Sequence, residues 1–260
     1  MVGKEIKKCV VGIARNEDPY IEEWLNHYRN IGFSKAIVFD NNDKPTLGRI
    51  VEKAGLGSFC TVDNRYVGKR TFVQLEAYRA AFSAYHWYFD WMAFFDIDEF
   101  LDTDGAVDEF LSRPEYLGFD AVRIHWRIFG DCGLTRWSDE DVVERFDRPL
   151  DISFDENMQC KSIMRCSASP SRFSCHGAAG ISSCDTLGKK CETFRDRNSG
   201  PVVWDVARLN HYRTKTIEEF MRCKYARGDD WNRFSNKLSE FFKINEVTDE
   251  KLAIIKEYSE

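Results

Sequence analysis

The stretch Trp91-Met92-Ala93-Phe94-Phe95-Asp96-Ile97-Asp98-Glu99-Phe100 decides how the chain is read. Five apolar residues in a row, closed by acids, have the length and composition of a fully buried strand. Side chains two apart on a strand share a face, so Asp96 and Asp98 are expected to point together at its end. Two convergent carboxylates suit a hard divalent cation such as Mg²⁺ or Mn²⁺, which takes oxygen ligands. The plain alternative is an acidic loop start, because Asp-x-Asp is common. The apolar strand in front of it favours the cation.

Working outward, Lys8 to Ile13 (KCVVGI) is a second short buried strand. Asp18-Pro19 supplies a helix cap and a proline at the first helical position. Ile21, Trp24, Leu25, Tyr28 and Ile31 follow at helical spacing, and Gly32 is the stop. Ala36 to Phe39 is a strand that runs into Asp40-Asn41-Asn42-Asp43. A short helix over Leu47 to Ala54, a strand at Phe59 to Val62 and a helix over Thr71 to Tyr85 complete the alternation. Such alternation predicts an α/β fold with a mostly parallel sheet and helices on both faces. Ligands bind at the carboxyl ends of such strands. Polar clusters follow Ile13, Phe39 and Phe95, and so fall at such ends.

The second half is less regular. Ala121 to Phe129 alternates like a strand, and Ser167 to Gly200 has the Ser, Gly and Cys content of a loop. Thr216 with Glu219 forms a capping box that predicts a helix through Arg227, stopped by Gly228. Thr248 opens the last helix. No repeat or linker divides the 260 residues, which fit one domain with residues 1–102 as the ligand-binding half and 103–260 as a second half ending in helices.

Composition narrows the partners. Lys and Arg total 37 against 43 Asp and Glu, for a net charge of -6, which argues against nucleic acid. No apolar run reaches the roughly 18 residues of a membrane span, and the short run Cys9 to Ala14 is no export signal. A cytoplasmic protein is expected. Nine cysteines without a Cys-x-x-Cys read as reduced thiols. A zinc site in the Cys160, Cys166, Cys175, Cys184, Cys191 and His176 cluster is the weaker reading.

Four more constellations carry chemistry. Arg15, Asn16 and Glu17 stand at the first strand's end, beside a helix start that favours negative charge; no dinucleotide glycine motif accompanies them. Asp40 and Asn41 are placed for a ribose or base, with an Asx turn as the alternative. Lys69 and Arg70 precede a helix, with Gln74 one turn on, and suit phosphate oxygens. In the run His125 to Gly133, Trp126, Phe129 and Gly130 suit a sugar ring, as does His176. His211 and Lys215, in Asn210-His211-Tyr212-Arg213-Thr214-Lys215, suit a metal shell and a phosphate respectively.

The run VVGIARNEDPYIEEWLNHYRNIGFSKAIVFDNN, the element FFDIDEF, the turn WRIFGDCG, Lys161-Ser162-Ile163 and the late HYRTKTIEEF occur in order and cover about Lys8 to Gly228. Together they resemble bacterial glycosyltransferases related to families 2 and 92. The resemblance implies a GT-A (nucleotide-diphospho-sugar transferase) fold, Mn²⁺ or Mg²⁺, and a nucleotide-sugar donor, a UDP-hexose such as UDP-galactose. It implies a carbohydrate or lipid-linked glycan acceptor, the latter met at the inner face of a membrane. Asp96 and Asp98 match the Asp-x-Asp, with Ile97 between them on the donor side, and His211 matches a late histidine able to reach metal or diphosphate. Arg15, Asn16, Glu17 and Asp40 match nucleotide-pocket positions. Relatives tend to carry small hydroxyl residues where this chain has Asp131-Cys132, and Asp131 is nominated as catalytic base, with Asp139 and Glu140 in reserve. The implied reaction is an inverting transfer assisted by the cation on Asp98. Rival readings are a sugar-phosphate nucleotidyltransferase, which lacks its glycine-rich loop here, and a non-catalytic carbohydrate-binding module.

Overall fold

The apolar runs of the first half become adjacent parallel strands. A computed structural model describes residues 6–69, 73–191, 197–198, 200–226 and 237–259. The chain runs β1 (Lys8–Ala14), α1 (Ile21–Asn30), β2 (Lys35–Asp40), α2 (Leu47–Lys53), β3 (Cys60–Asp63), α3 (Val73–Tyr85) and β4 (Trp91–Phe94). β1 pairs in parallel with β2 and β4, and β2 with β3, so their carboxyl ends share one edge. Alternation then sorts the side chains. Val10, Val38 and Ala93 face Trp24 and Leu25 of α1, while Val11, Ile37 and Met92 face Ala77 and Tyr78 of α3. Both faces are covered, which is why these strands are apolar throughout.

The second half adds β5 (Glu99–Thr103), α4 (Val107–Leu111), β6 (Ala121–Ile128), α5 (Val142–Arg145), β7 (Cys160–Arg165), β8 (Arg172–Phe173), β9 (Ala178–Ala179), β10 (Ser183–Asp185) and β11 (Ala207–His211). The short α6 (Ile217–Glu219) runs into a π-helical stretch, Phe220–Tyr225, before α7 (Lys237–Ile244) and α8 (Asp249–Ser259). β7 lies antiparallel between β4 and β6, and β11 joins β6 in parallel and β5 in antiparallel. Five of the eight pairings within this sheet are parallel, so the fold is mixed α/β with a mostly parallel sheet. No helix among the described residues is long and apolar enough to cross a membrane.

Three differences from the sequence reading bear on the site. Asp18 does not cap α1, which begins at Ile21 without a side-chain cap; Asp18 accepts a hydrogen bond from Asn42 Nδ2 instead, at 2.8 Å. β5, β7 and β11 were not foreseen, because each becomes a strand through its neighbours rather than through its own pattern. Third, β4 ends at Phe94, so the paired acids lie in the turn before β5 and not on a strand. Of the expected helices, Thr71, Phe72, Arg227 and Gly228 lie outside the described residues.

Candidate functional site

Within that turn, Glu99 N–H donates to the Asp96 carbonyl at 3.0 Å, and Asp96 N–H donates to Glu99 Oε2 at 2.8 Å. The reversal sends Asp96 and Asp98 to different partners. Helix α1 pins it from below. Trp24 Nε1 donates to the carbonyls of Asp96 and Glu99, both at 3.0 Å, and Tyr28 Oη donates to the Glu99 carbonyl at 2.9 Å. Gly12 makes room beneath: a Cβ there would stand 2.9 Å from Ile97 Cδ1 and 3.2 Å from the Trp24 ring. Ile97 is therefore core packing.

Asp96 is the more open acid, its side chain one-third exposed. Its Oδ1 accepts from Gln74 Nε2 at 2.6 Å and from Tyr78 Oη at 3.2 Å, and its Oδ2 accepts from Lys161 Nζ at 2.8 Å. Lys161 projects from β7, is 1% exposed, and also stands 3.4 Å from Glu99 Oε2. Burial alone would push Asp96 upward, but the Lys161 ammonium holds it below the usual carboxylate range. Burial pushes Glu99 well above that range, against the pull of Lys161, and its Oε1 has no hydrogen-bond partner.

Asp98 is 4% exposed. Its Oδ1 lies 3.4 Å from His211 Nε2 and its Oδ2 accepts from Lys224 Nζ at 2.5 Å. Register delivers the histidine, since His211 on β11 is opposite Glu99 on β5. Against its burial, Lys224 and His211 draw Asp98 well below the usual range. Burial lowers His211, so the imidazole is neutral and its Nδ1 is a buried atom without a hydrogen-bond partner. Its ring packs 4.4 Å from that of Trp126, whose other neighbour is His176 at 5.4 Å.

The remaining candidates divide into loop-holders and others. Asp40 is fully buried and accepts from the backbone N–H groups of Asn42, Thr46 and Leu47, the last two opening α2. Arg15 donates to the carbonyls of Asn41 and Lys69 and to Asp43 Oδ1, and Asn41 Nδ2 donates to the carbonyls of Tyr66 and Lys69. Together they fix the loop after β3 against the end of β2. Asn16, at φ +58, donates its N–H to Asn42 Oδ1, and Lys69 Nζ lies 5.0 Å over the Tyr66 ring. Lys215 is buried, 3.8 Å from Glu17 Oε2 and 4.2 Å over Tyr20; burial opposes its charge, but Glu17 and Asp98 more than restore it. Arg70 lies outside the described residues.

Asp131 is not brought to Asp98. It is 5% exposed, ion-paired to Lys251 of α8, and its Oδ1 accepts from Gly133 N–H at 2.9 Å. Phe129 is buried against Tyr212, and Gly130 backs onto Asn245. Asp139 and Glu140 are exposed beside Trp137, on the wall of a 650 Å³ hollow that runs along α1 past Glu23 and Asn26. The sequence reading missed Lys161 as a site residue in its own right, and missed Lys224, Tyr78 and the α1 pair Trp24 and Tyr28. A lysine just ahead of the Ile163-Met164 pair was the one available signal.

A divalent cation needs several donors. Asp98 Oδ1 and His211 Nε2 are of the right type, but Asp96 is held by Lys161, Gln74 and Tyr78, and Lys224 covers the other oxygen of Asp98. Among the described residues, no group of three or more His, Cys, Asp or Glu side chains is arranged to hold a metal. The donor set does not fit such a cation while Lys224 is in place.

The fold and site define a mixed α/β protein with an acid-and-lysine cluster at the carboxyl edge of parallel strands. Comparison with known proteins adds distant kinship. The chain is 22% identical over 140 residues to a glycosyltransferase family 92 protein of Ricinus communis, covering 50% of this chain and 24% of that one. It is 23% identical over 160 residues to one of Arabidopsis thaliana, covering 54% and 26%. The chain thus spans about a quarter of the length of these curated relatives and is similar to that part of them. No protein-family model matches it. Among solved structures, Staphylococcus aureus TarS overlaps at TM-score 0.46 and 13% identity, over 98% of this chain and 43% of that one. The mannosyltransferase PcManGT of Pyrobaculum calidifontis, in complex with GDP-Man and Mn²⁺, overlaps at TM-score 0.37 and 16% identity, over 47% and 36%.

Proposed function

We propose that this chain is a glycosyltransferase moving a hexose from a nucleotide-diphosphate donor to a carbohydrate hydroxyl, in surface polysaccharide or glycan synthesis. The observation that carries the reading is the convergence of Asp98, His211 and Lys224 at the edge where parallel strands present ligands. The family 92 kinship supports it. The donor is a UDP-hexose, on the strength of the sequence resemblance, and a lipid-linked glycan is one acceptor class.

In the inverting reaction proposed, the acceptor oxygen attacks the anomeric carbon and gives its proton to a carboxylate. The bond from that carbon to the diphosphate oxygen breaks, and its electron pair leaves with the nucleoside diphosphate. The developing negative charge is what a protein must stabilise. Buried, charged Lys215 contributes positive potential there, beside the Asp98 and His211 pair. Mn²⁺ or Mg²⁺ would supply Lewis-acid charge neutralisation, but these residues do not fit it in this arrangement. The acceptor is assigned to the hollow along α1, where Trp137 offers a face for a sugar ring and Asp139 and Glu140 are accessible bases.

The test is incubation with UDP-hexoses and GDP-hexoses plus oligosaccharide acceptors, reading nucleoside diphosphate release and product mass. Acceptor-dependent release, reduced in Asp98→Asn, is expected. Pyrophosphate release from a nucleoside triphosphate would instead establish the nucleotidyltransferase. Sugar binding without nucleotide binding would establish the binding module.

A further inference from the structure

Two hollows meet at the start of α1. The larger, 650 Å³, runs along that helix past Glu22 and Asn26 to Asn30. The smaller, 480 Å³, opens at the ends of β1 and β2 between Asn16, Thr46 and Arg222. Each falls within the roughly 300–1,000 Å³ of a small-molecule site. Pro19, Tyr20 and Trp137 line both, so the two volumes adjoin at a saddle of exposed proline, buried tyrosine and a tryptophan that is 41% exposed. The tryptophan is held in place. Its backbone N–H donates to Glu218 Oε2 at 2.8 Å, Thr135 Oγ1 donates to Glu250 Oε1 at 2.7 Å, and Arg136 is ion-paired with Glu257. These contacts tie its loop to α6 and α8 while leaving the ring in solvent.

An apolar saddle between banks of amides, hydroxyls and carboxylates suits a sugar chain, whose ring faces are apolar and whose edges carry hydroxyls. Charge narrows the class. Glu22, Asp139, Glu140 and Asp141 are exposed on the larger wall, where Arg145 is committed to Glu219. That lining repels a uronic acid or a phosphate group. On the smaller wall Lys44 and Arg222 are offset by Asp18 and Asp43, which leaves donors and acceptors with little net charge.

We propose that the acceptor is an uncharged oligosaccharide lying across both hollows, with one ring stacked on Trp137 at the saddle. The reacting sugar is on the larger side, beside Asp139 and Glu140, and the sugars behind it pass into the smaller hollow. The proposal rests on the glycosyltransferase reading and on its assignment of the acceptor to the larger hollow. It goes beyond that reading in requiring a chain where a single sugar would fill only one side. Trp137 is then the residue through which acceptor length is recognised.

The full chain is titrated by calorimetry against neutral glucan, galactan, mannan and chitin oligosaccharides of one to six sugars. Oligogalacturonates of the same lengths, UDP and GDP are titrated alongside. In at least one neutral series, affinity is expected to climb by on the order of a hundredfold from the monosaccharide to the tetrasaccharide and then level off. Trp137→Ala should cut tetrasaccharide affinity about tenfold, the size of one aromatic contact, and its melting temperature should stay near wild type. Arg222→Ser, which changes the smaller hollow alone, should shrink the gain from disaccharide to tetrasaccharide. Affinity that is flat from one to six sugars overturns the proposal, and this arm needs no variant to fold. Oligogalacturonates bound as tightly as neutral chains, or a Trp137→Ala protein that binds tetrasaccharide like wild type, would also overturn it. Binding of UDP or GDP with no oligosaccharide bound in any series overturns the proposal and leaves the transferase reading standing. Binding of neither sugar nor nucleotide overturns both.

Discussion

Two regions of this molecule each bury a lysine against a carboxylate, and only one of them is built like a site. At the sheet edge, Lys161 faces Asp96 and Glu99, with Asp98, His211 and Lys224 alongside. Under the C-terminal helices, Lys251 faces Asp131 alone and gives a further hydrogen bond to the Glu246 carbonyl at 2.9 Å. Asn245 completes that second cluster, accepting from Asp131 N–H at 2.7 Å and donating to Thr214 Oγ1 at 3.2 Å. The helical pair is closed on itself and fastens α7 and α8 to the turn after β6. The strand-end cluster is open: the Asp96 side chain is one-third exposed, whereas Asp131 is 5% exposed. A buried charge pair marks architecture unless one of its members reaches solvent.

Breaking each pair from the lysine side tests this difference with the largest effect. Removing one partner of a buried ion pair strands the other charge and costs about 3–5 kcal/mol. Lys161→Met and Lys251→Met are both expected to lose stability on that scale in urea unfolding. Nucleoside diphosphate binding, measured below each variant's unfolding midpoint, should fall in Lys161→Met and be unchanged in Lys251→Met. Equal loss of binding in both would erase the distinction and return Asp131 to the site.

A smaller effect comes from the histidine that opens the run His125 to Gly133. His125 is 1% exposed, and burial lowers it to about 4 from an ordinary 6.5. Its Nδ1 accepts from Val203 N–H at 3.3 Å. A depressed histidine is stabilising above its unfolded value, and that stability is lost as pH falls from 6.5 towards 4. The loss is at most about 3 kcal/mol, at 1.36 kcal/mol per unit. Burial lowers His27 and His211 as well, so they act in the same direction. The melting temperature should drop across that window, and more shallowly in His125→Asn. An unchanged slope in the variant would show that His125 does not carry the acid sensitivity.

The fold was legible where a segment's own pattern decides its state. β1, β2 and β4 are runs of apolar residues with helices between them, and any parallel sheet would bury them. β7 was not legible, because its Lys161 makes the run look half-exposed until Asp96 and Glu99 arrive from another part of the chain. β5 starts on an acid, Glu99, that is buried only because α1 and β11 cover it. The same limit applies to the site. Asp96 and Asp98 were visible as a pair, but their separation by the turn depends on Trp24 and Tyr28, which read simply as the apolar stripe of α1. Asp131 looked like a free carboxylate because its lysine is 120 residues away in sequence, at position 251.

The smallest effect is expected where local sequence was most informative. The capping box reads directly as Thr216 with Glu219, and both bonds form: Thr216 Oγ1 accepts from Glu219 N–H at 3.2 Å, and Glu219 Oε2 accepts from Thr216 N–H at 3.1 Å. Tertiary contacts then reinforce it, since Arg145 donates twice to the Glu219 carboxylate and Tyr20 Oη donates once. Thr216→Ala removes a single cap, worth about 1 kcal/mol, while those other bonds hold Glu219 where it is. The helix start and the π-helical stretch behind it should therefore survive, and Lys224 should stay on Asp98. Urea unfolding should register the modest loss, and nucleoside diphosphate binding should match wild type. A binding defect as large as that of Lys161→Met would mean that the cap, rather than the Glu219 contacts with Arg145 and Tyr20, sets the position of Lys224.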